Sequence, residues 1–208
     1  MTVLAALDFA SVAVFALTGA LVASRAQLDL VGFIFIACLT AVGGGTVRDV
    51  LINRDPVFWI GQPIYLGVAA AAAVLVFFAA HRLESRYRVL RWLDACALAV
   101  AVPAGVGVAL AAGLSPAVTV VMGIATGCLG GLMRDVVCNE VPMVLKAGEI
   151  YVTAAFAGAL AAVVLTWIDM DGALLACAVV TFALRAGSIA FGWRLPVYRP
   201  RPPRDGLR

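Results

Sequence analysis

One short motif occurs twice in this chain, and the distance between its copies constrains the fold more than any other feature. Gly44, Gly45, Arg48, Asp49, Val50, Asn53 and Pro56 return as Gly130, Gly131, Arg134, Asp135, Val136, Asn139 and Pro142, each 86 positions later. Seven of thirteen consecutive positions are identical without a gap, and the same offset carries Asp8 to Asp94, Gly19 to Gly105, Thr40 to Thr126 and Tyr65 to Tyr151. Self-similarity at a fixed spacing is the mark of a duplicated structural unit.

What the unit is follows from its solvent. Of 208 residues, 64% are hydrophobic and 13% charged, far from the roughly 45–50% and about 25% of a soluble domain. Seven apolar stretches, at 3–23, 30–52, 63–81, 91–112, 116–138, 149–168 and 172–191, approach or exceed the roughly 20 residues that cross a bilayer as a helix. Asp8 inside the first stretch, with no basic residue before it, argues against a cleaved signal peptide. The reading is therefore an all-α integral membrane protein. Residues 1–81 form a first three-helix repeat, 87–168 a second, 172–193 an unmatched seventh helix and 194–208 a basic tail. Three crossings per repeat force the second copy to enter the membrane in the opposite sense, so the repeats are expected to be inverted, a construction of transport proteins with the site where the halves meet.

Lys and Arg fall mostly after odd-numbered spans: Arg25, then Arg82, Arg86, Arg88 and Arg91, then Lys146, and finally Arg194, Arg199, Arg201, Arg204 and Arg208. The positive-inside rule then predicts an N-terminus outside and a cytoplasmic C-terminus in the cell (inner) membrane. The net charge of +3 is explained by these loops and calls for no nucleic acid; anionic membrane lipid is the partner a basic tail would touch. Trp59, Trp92, Trp167 and Trp193 near span ends fit interfacial anchors, the five cysteines fit core packing, and Lys146 with Glu149 fits a solvated pair.

The chemistry sits in the motif. Gly43, Gly44 and Gly45 lie inside the second span, and Gly130 and Gly131 in the equivalent place of the fifth. Glycine loosens a helix by about 1 kcal/mol per residue, so both spans are expected to kink there. A kink would free carbonyls near Thr40 and Thr126 toward a cation path, since unpaired backbone at that depth must face a cavity or protein. The alternative is that the glycines only let helices approach closely. Arg48, Asp49, Arg134 and Asp135 lie one turn inside span ends, where charges face the protein interior or a water-filled path. The orientation predicts two symmetric ion pairs, Asp8 with Arg48 and Asp94 with Arg134, either lining pore mouths or locking helices together.

The stretches GGGTVRDVLINRDPVFWI and GGLMRDVVCNEVP resemble the prokaryotic members of the trimeric intracellular cation channel family, which includes bacterial membrane proteins described as glycine transporters. The resemblance covers almost the whole chain and implies a homotrimer, each subunit with its own pore bent at the glycines of the second and fifth helices, passing potassium or sodium. Gly43, Gly44, Gly45, Arg48 and Asp49, then Gly130, Gly131, Arg134 and Asp135, match its motif positions. Leu129 stands where the first copy has Gly43, so the second bend is expected to be milder.

The leading expectation is thus a potassium-permeable monovalent cation channel, with no cofactor and no bound metal beyond the transient permeating ion. A transporter of glycine or another small zwitterion is the alternative, and a scaffold without a permeation path is a third. No enzyme is expected, since the chain has no H-E-x-x-H, no G-x-S-x-G and a single histidine, His81. The orientation is directly testable. A green fluorescent protein fused after Arg208 should fluoresce and an alkaline phosphatase fused there should stay inactive; the opposite pattern would reverse the topology.

Overall fold

The computed structural model describes residues 2–82 and 86–198, and over these the chain is almost entirely helical. The helices are α1 (Val3–Arg25), α2 (Leu30–Leu51), the single turn α3 (Phe58–Gly61), α4 (Ile64–Ala79), α5 (Arg86–Ala111), α6 (Pro116–Val137), α7 (Val152–Trp167) and α8 (Ala173–Phe191). Six elements, the helices α1, α2, α5, α6 and α8 together with α4 continued to Arg82, are long and apolar enough to cross a membrane. Arg199, Arg201, Arg204 and Arg208 of the basic tail lie outside the described residues.

Local chemistry sets the helix ends. Thr2 and Asp29 cap α1 and α2 by accepting from Ala5 N at 3.2 Å and Gly32 N at 2.7 Å. Pro116 opens α6 at a position where its missing N–H costs nothing. The repeated asparagines of the motif end α2 and α6: Asn53 and Asn139 both take φ of 55°. This lets Arg54 N reach Asp49 O and Glu140 N reach Asp135 O, each at 2.8 Å. That left-handed cap suits Asn nearly as well as Gly.

The sixth span is shorter than the sequence suggests. Instead of starting at residue 149, α7 starts at Val152 and holds 16 residues, about 24 Å at 1.5 Å per residue. Gly148, at φ of 79°, turns the chain out of helix, and Glu149 is drawn aside to pair with Arg185 of α8.

Helix α5 is the most deeply buried, packed on α6, α1 and α8, while α1 also packs on α2 and α4, and α7 on α8. The outer faces carry large apolar side chains such as Val31, Phe35, Leu75, Phe78 and Leu175, as a lipid-facing surface requires. Inside, small residues bring backbones together. Helices α2 and α6 cross antiparallel at their glycines: a Cβ on Gly44 would fall on the Thr126 carbonyl oxygen, and one on Gly130 would fall on the Thr40 carbonyl oxygen.

At that crossing neither helix is interrupted, which rules out the freed carbonyls rather than a bend. Both helices remain helical through Gly43–Gly45 and through Gly130–Gly131, so no run of carbonyls from Thr40 or Thr126 is freed. The hydroxyls of Thr40 and Thr126 bond back to Ile36 O at 2.6 Å and Met122 O at 2.7 Å, and each presses on a glycine of the preceding helix, Gly19 or Gly105. The glycines act by removing side chains where two helices need to touch.

Ala at either crossing glycine should therefore destabilise the protein by about 1–3 kcal/mol through overpacking. Gly67→Ala, where an added Cβ meets nothing within 4 Å, should be neutral or stabilising. Thermal unfolding of Gly44→Ala, Gly130→Ala and Gly67→Ala in detergent checks this, and equal midpoints for all three would refute the close-contact role.

Candidate functional site: two buried arginine–aspartate clusters

Arg48 and Arg134 are among the largest fully buried side chains of the protein. A cation so placed needs carboxylates at hydrogen-bonding range, and each has two. Arg48 Nε donates to Asp49 Oδ1 at 2.7 Å, and its Nη1 reaches Asp8 Oδ1 on α1 at 3.3 Å. Arg134 Nε donates to Asp135 Oδ1 at 2.8 Å, and its Nη1 reaches Asp94 Oδ1 on α5 at 3.2 Å. The structure thus brings together the six repeat-related residues Asp8, Arg48 and Asp49, and Asp94, Arg134 and Asp135, as two separate triads.

The second carboxylate oxygen of each motif aspartate ties its helix to the loop that follows. Asp49 Oδ2 accepts from Phe58 N at 2.9 Å, and Asp135 Oδ2 accepts from Met143 N at 2.9 Å. Each triad therefore joins two helices and a re-entering loop through one arginine and one bidentate aspartate. Adjacent Arg and Asp serve this because one points across to the neighbouring helix while the other reaches both the guanidinium and the loop amide.

The triads occupy opposite ends of the bundle. Asp8 marks the N-terminal end of α1, whereas Arg134 Nη1 donates to Thr18 Oγ1 at 2.8 Å and the loop after α6 pairs its Glu140 with Arg25 at 3.2 Å, both in the C-terminal half of α1. Their surroundings differ. The Arg48 triad adjoins a cavity of about 480 Å³ whose walls include Asp8, Arg54, Phe58, Gln62 and Tyr65, and the Asp8 side chain keeps 11% of its surface exposed. The Asp94 side chain is fully buried. Arg54, 3.7 Å from Asp49 Oδ2, adds a second cation to the first triad; its counterpart by repeat is the acidic Glu140.

The glycines flank these triads. Gly45 packs against the Phe58 ring, which lies under the Arg48 guanidinium at 5.6 Å, and Gly43 faces Met133. Gly131 looks onto Tyr151, Arg134 and Asp94. Tyr65 stacks on Phe9 at a centroid distance of 4.2 Å, and Tyr151 lies beneath Arg185.

Several partners were not apparent from sequence. Arg185, fully buried on α8, pairs with Glu149 at 2.8 Å, so Glu149 is no member of a solvated pair with Lys146, which instead donates to Tyr87 Oη at 2.6 Å. The signal for Arg185 was available, since a lone arginine within an apolar span demands an internal partner. Trp59 does more than anchor at an interface: its Nε1 donates to Thr46 Oγ1 at 2.9 Å.

Comparison with known proteins agrees with this architecture. A family model described as glycine transporter matches the chain twice, over residues 5–81 and 91–167. The inner membrane protein YadS of Escherichia coli is 37% identical over 92% of this chain and 94% of its own, and a membrane protein of Vibrio cholerae is 36% identical over 92% and 81%. Among solved structures, the trimeric intracellular cation channel orthologue of Rhodobacter sphaeroides superposes with a TM-score of 0.89 at 42% identity, covering 92% of this chain and all of that one. A prokaryotic channel of the same type, crystallised in 0.5 M KCl, gives 0.86 at 27% identity over 91% and 97%. The chain belongs to the membrane protein family described as glycine transporters and has the fold of the trimeric intracellular cation channels.

Proposed function

We propose that the protein is a potassium-permeable cation channel, a homotrimer in which each subunit carries its own path lined by α2 and α6, with the arginine–aspartate triads at its two mouths. The antiparallel α2–α6 crossing supports reading the halves as inverted repeats, with the Arg48 mouth outside and the Arg134 mouth cytoplasmic. Likeness to the Rhodobacter sphaeroides orthologue, described as a trimeric intracellular cation channel, supports both the activity and the assembly.

The observation that carries this reading is the stoichiometry of the triads. An arginine at a cation pore mouth would repel the permeating ion, but each arginine here faces two carboxylates, Asp8 and Asp49 or Asp94 and Asp135. With both carboxylates ionised, the Arg134 triad is net anionic; at the other end Arg54 balances the extra charge of the Arg48 triad, and Asp8 turns part of its surface to the cavity. Rings of acidic charge favour cations in narrow pores, and low-dielectric walls strengthen that field.

A second reading has a specific observation behind it. The cavity at the Arg48 end presents both Asp8 and Arg54, complementary to the ammonium and carboxylate of a small zwitterion, and the matching family model is described as a glycine transporter. Docking of the carboxylate on freed backbone amides has no support, since α2 and α6 stay unbroken.

Planar-bilayer recording of the purified protein under a potassium chloride gradient, before and after glycine, separates the two. The channel reading predicts glycine-independent current reversing near the potassium equilibrium potential. Silence without glycine, with saturable uptake of radiolabelled glycine into liposomes, would replace it with the transporter.

A further inference from the structure

Arg185 belongs to neither triad, yet it is as buried as Arg48 and Arg134. Its Nη1 lies 2.8 Å from Glu149 Oε2, and its guanidinium carbon stands 4.9 Å from the centre of the Tyr151 ring. Glu149 is fixed from a second side. The chain leaving α8 turns back so that the backbone of Arg194 lies antiparallel to that of Glu149 as an isolated β-bridge, and Leu195 N donates to Gly148 O at 2.9 Å. Trp193 covers Gly187, and its carbonyl accepts from Ser188 Oγ at 3.1 Å, which secures that return.

The other end of the Tyr151 side chain meets the Arg134 triad. A Cβ on Gly131 would stand 3.5 Å from both Tyr151 Oη and Arg134 Nη2, and 3.7 Å from Asp94 Oδ1, so all three converge on one small volume. One ring therefore touches the arginine of α8 with its face and the triad with its hydroxyl end. Its repeat partner Tyr65 is placed otherwise: it lines the open cavity with Asp8 and packs on Phe9 and Phe58. The seventh membrane helix has no counterpart in the first half, which makes Arg185 and its grip on Tyr151 unique to one end.

We propose that α8 is a latch on the Arg134 mouth: Arg185, anchored by Glu149, is a positioning residue that holds the Tyr151 ring against the Asp94–Arg134 pair and keeps that mouth shut while the Arg48 mouth stands open. The proposal rests on the permeation path proposed above. An arginine over an aromatic face in a dry site is strongly oriented, and the α8 guanidinium uses only one of its three nitrogens in a hydrogen bond, Nε and Nη2 having no partner among the described residues. Such a contact holds a ring in place yet is easier to release than one in which every donor is satisfied.

The test uses the full chain with Cys128 as its only cysteine. Cys128 is buried on α6, close to Asp94 and Tyr151, and reports access to the closed mouth. Glu149→Gln combined with Arg185→Met removes the latch without leaving a lone buried charge. In protein that elutes as wild type on size exclusion, the latch predicts modification of Cys128 by a charged thiol reagent at least tenfold faster. It also predicts an open probability at least tenfold higher with unchanged unit conductance, a separation that a merely structural defect would not give. Unchanged Cys128 reactivity and open probability would overturn it. Should the double variant fail to fold, Tyr151→Leu, which keeps apolar bulk but removes the ring face and hydroxyl, carries the same two outcomes. Faster Cys128 modification without current from any variant would overturn the channel reading and leave the latch standing.

Discussion

A guanidinium in a membrane interior has no solvent to fall back on, and the fold is arranged around that demand. Removing one member of a buried ion pair typically costs about 3–5 kcal/mol, because the other charge is left uncompensated. Arg48 and Arg134 meet it with two carboxylates each, one on the same helix and one on the helix before. This fixes the register of α2 on α1 and of α6 on α5. The motif aspartates extend the same constraint to the loops, by accepting from Phe58 N and Met143 N. The repeated asparagines then close the helix ends so that those loops can return. The spacing Arg-Asp-x-x-x-Asn is thus one mechanical unit, used once at each end of the bundle.

The two copies of this unit are unequal in their surroundings. Where the first half has Arg54 beside its triad, the second has Glu140, which pairs with Arg25 and ties α1 to the loop after α6. Where Arg48 lies over Phe58, Arg134 gains the hydroxyl of Thr18. Where Tyr65 lines a cavity, Tyr151 is sealed beneath Arg185. One repeated scaffold therefore leaves the Arg48 triad beside a cavity and buries the Arg134 triad among packed side chains.

Much of this was legible in the sequence because charge and apolarity conflict so sharply in a membrane. The spans, the duplication and the pairing of Arg48 with Asp8 and of Arg134 with Asp94 follow from counting residues and from the offset that relates Asp8 to Asp94; the bonds to Asp49, Asp135 and Thr18 do not. The role of the glycines did not, because a broken helix and a crossing of two intact ones both ask for the smallest side chain. Only the position of α6 against α2, with Thr126 O on Gly44 and Thr40 O on Gly130, separates them. Arg185 escaped for another reason. Its partner Glu149 is 36 residues away in a segment that reads as the start of a span, and α8 has no repeat mate to point to it. Trp59 bonded to Thr46 likewise needs the turn after Pro56 to be placed first.

The central claim, that these arginine–carboxylate pairs hold neighbouring helices in register within each half, is tested most directly by a double-mutant cycle on Asp94 and Arg134, read as unfolding free energy in detergent. Asp94→Asn should cost far more in the wild-type background than in the Arg134→Gln background, with a coupling of about 1–3 kcal/mol as for residues sharing one buried network. Additive costs, with no coupling between the two positions, would contradict the account.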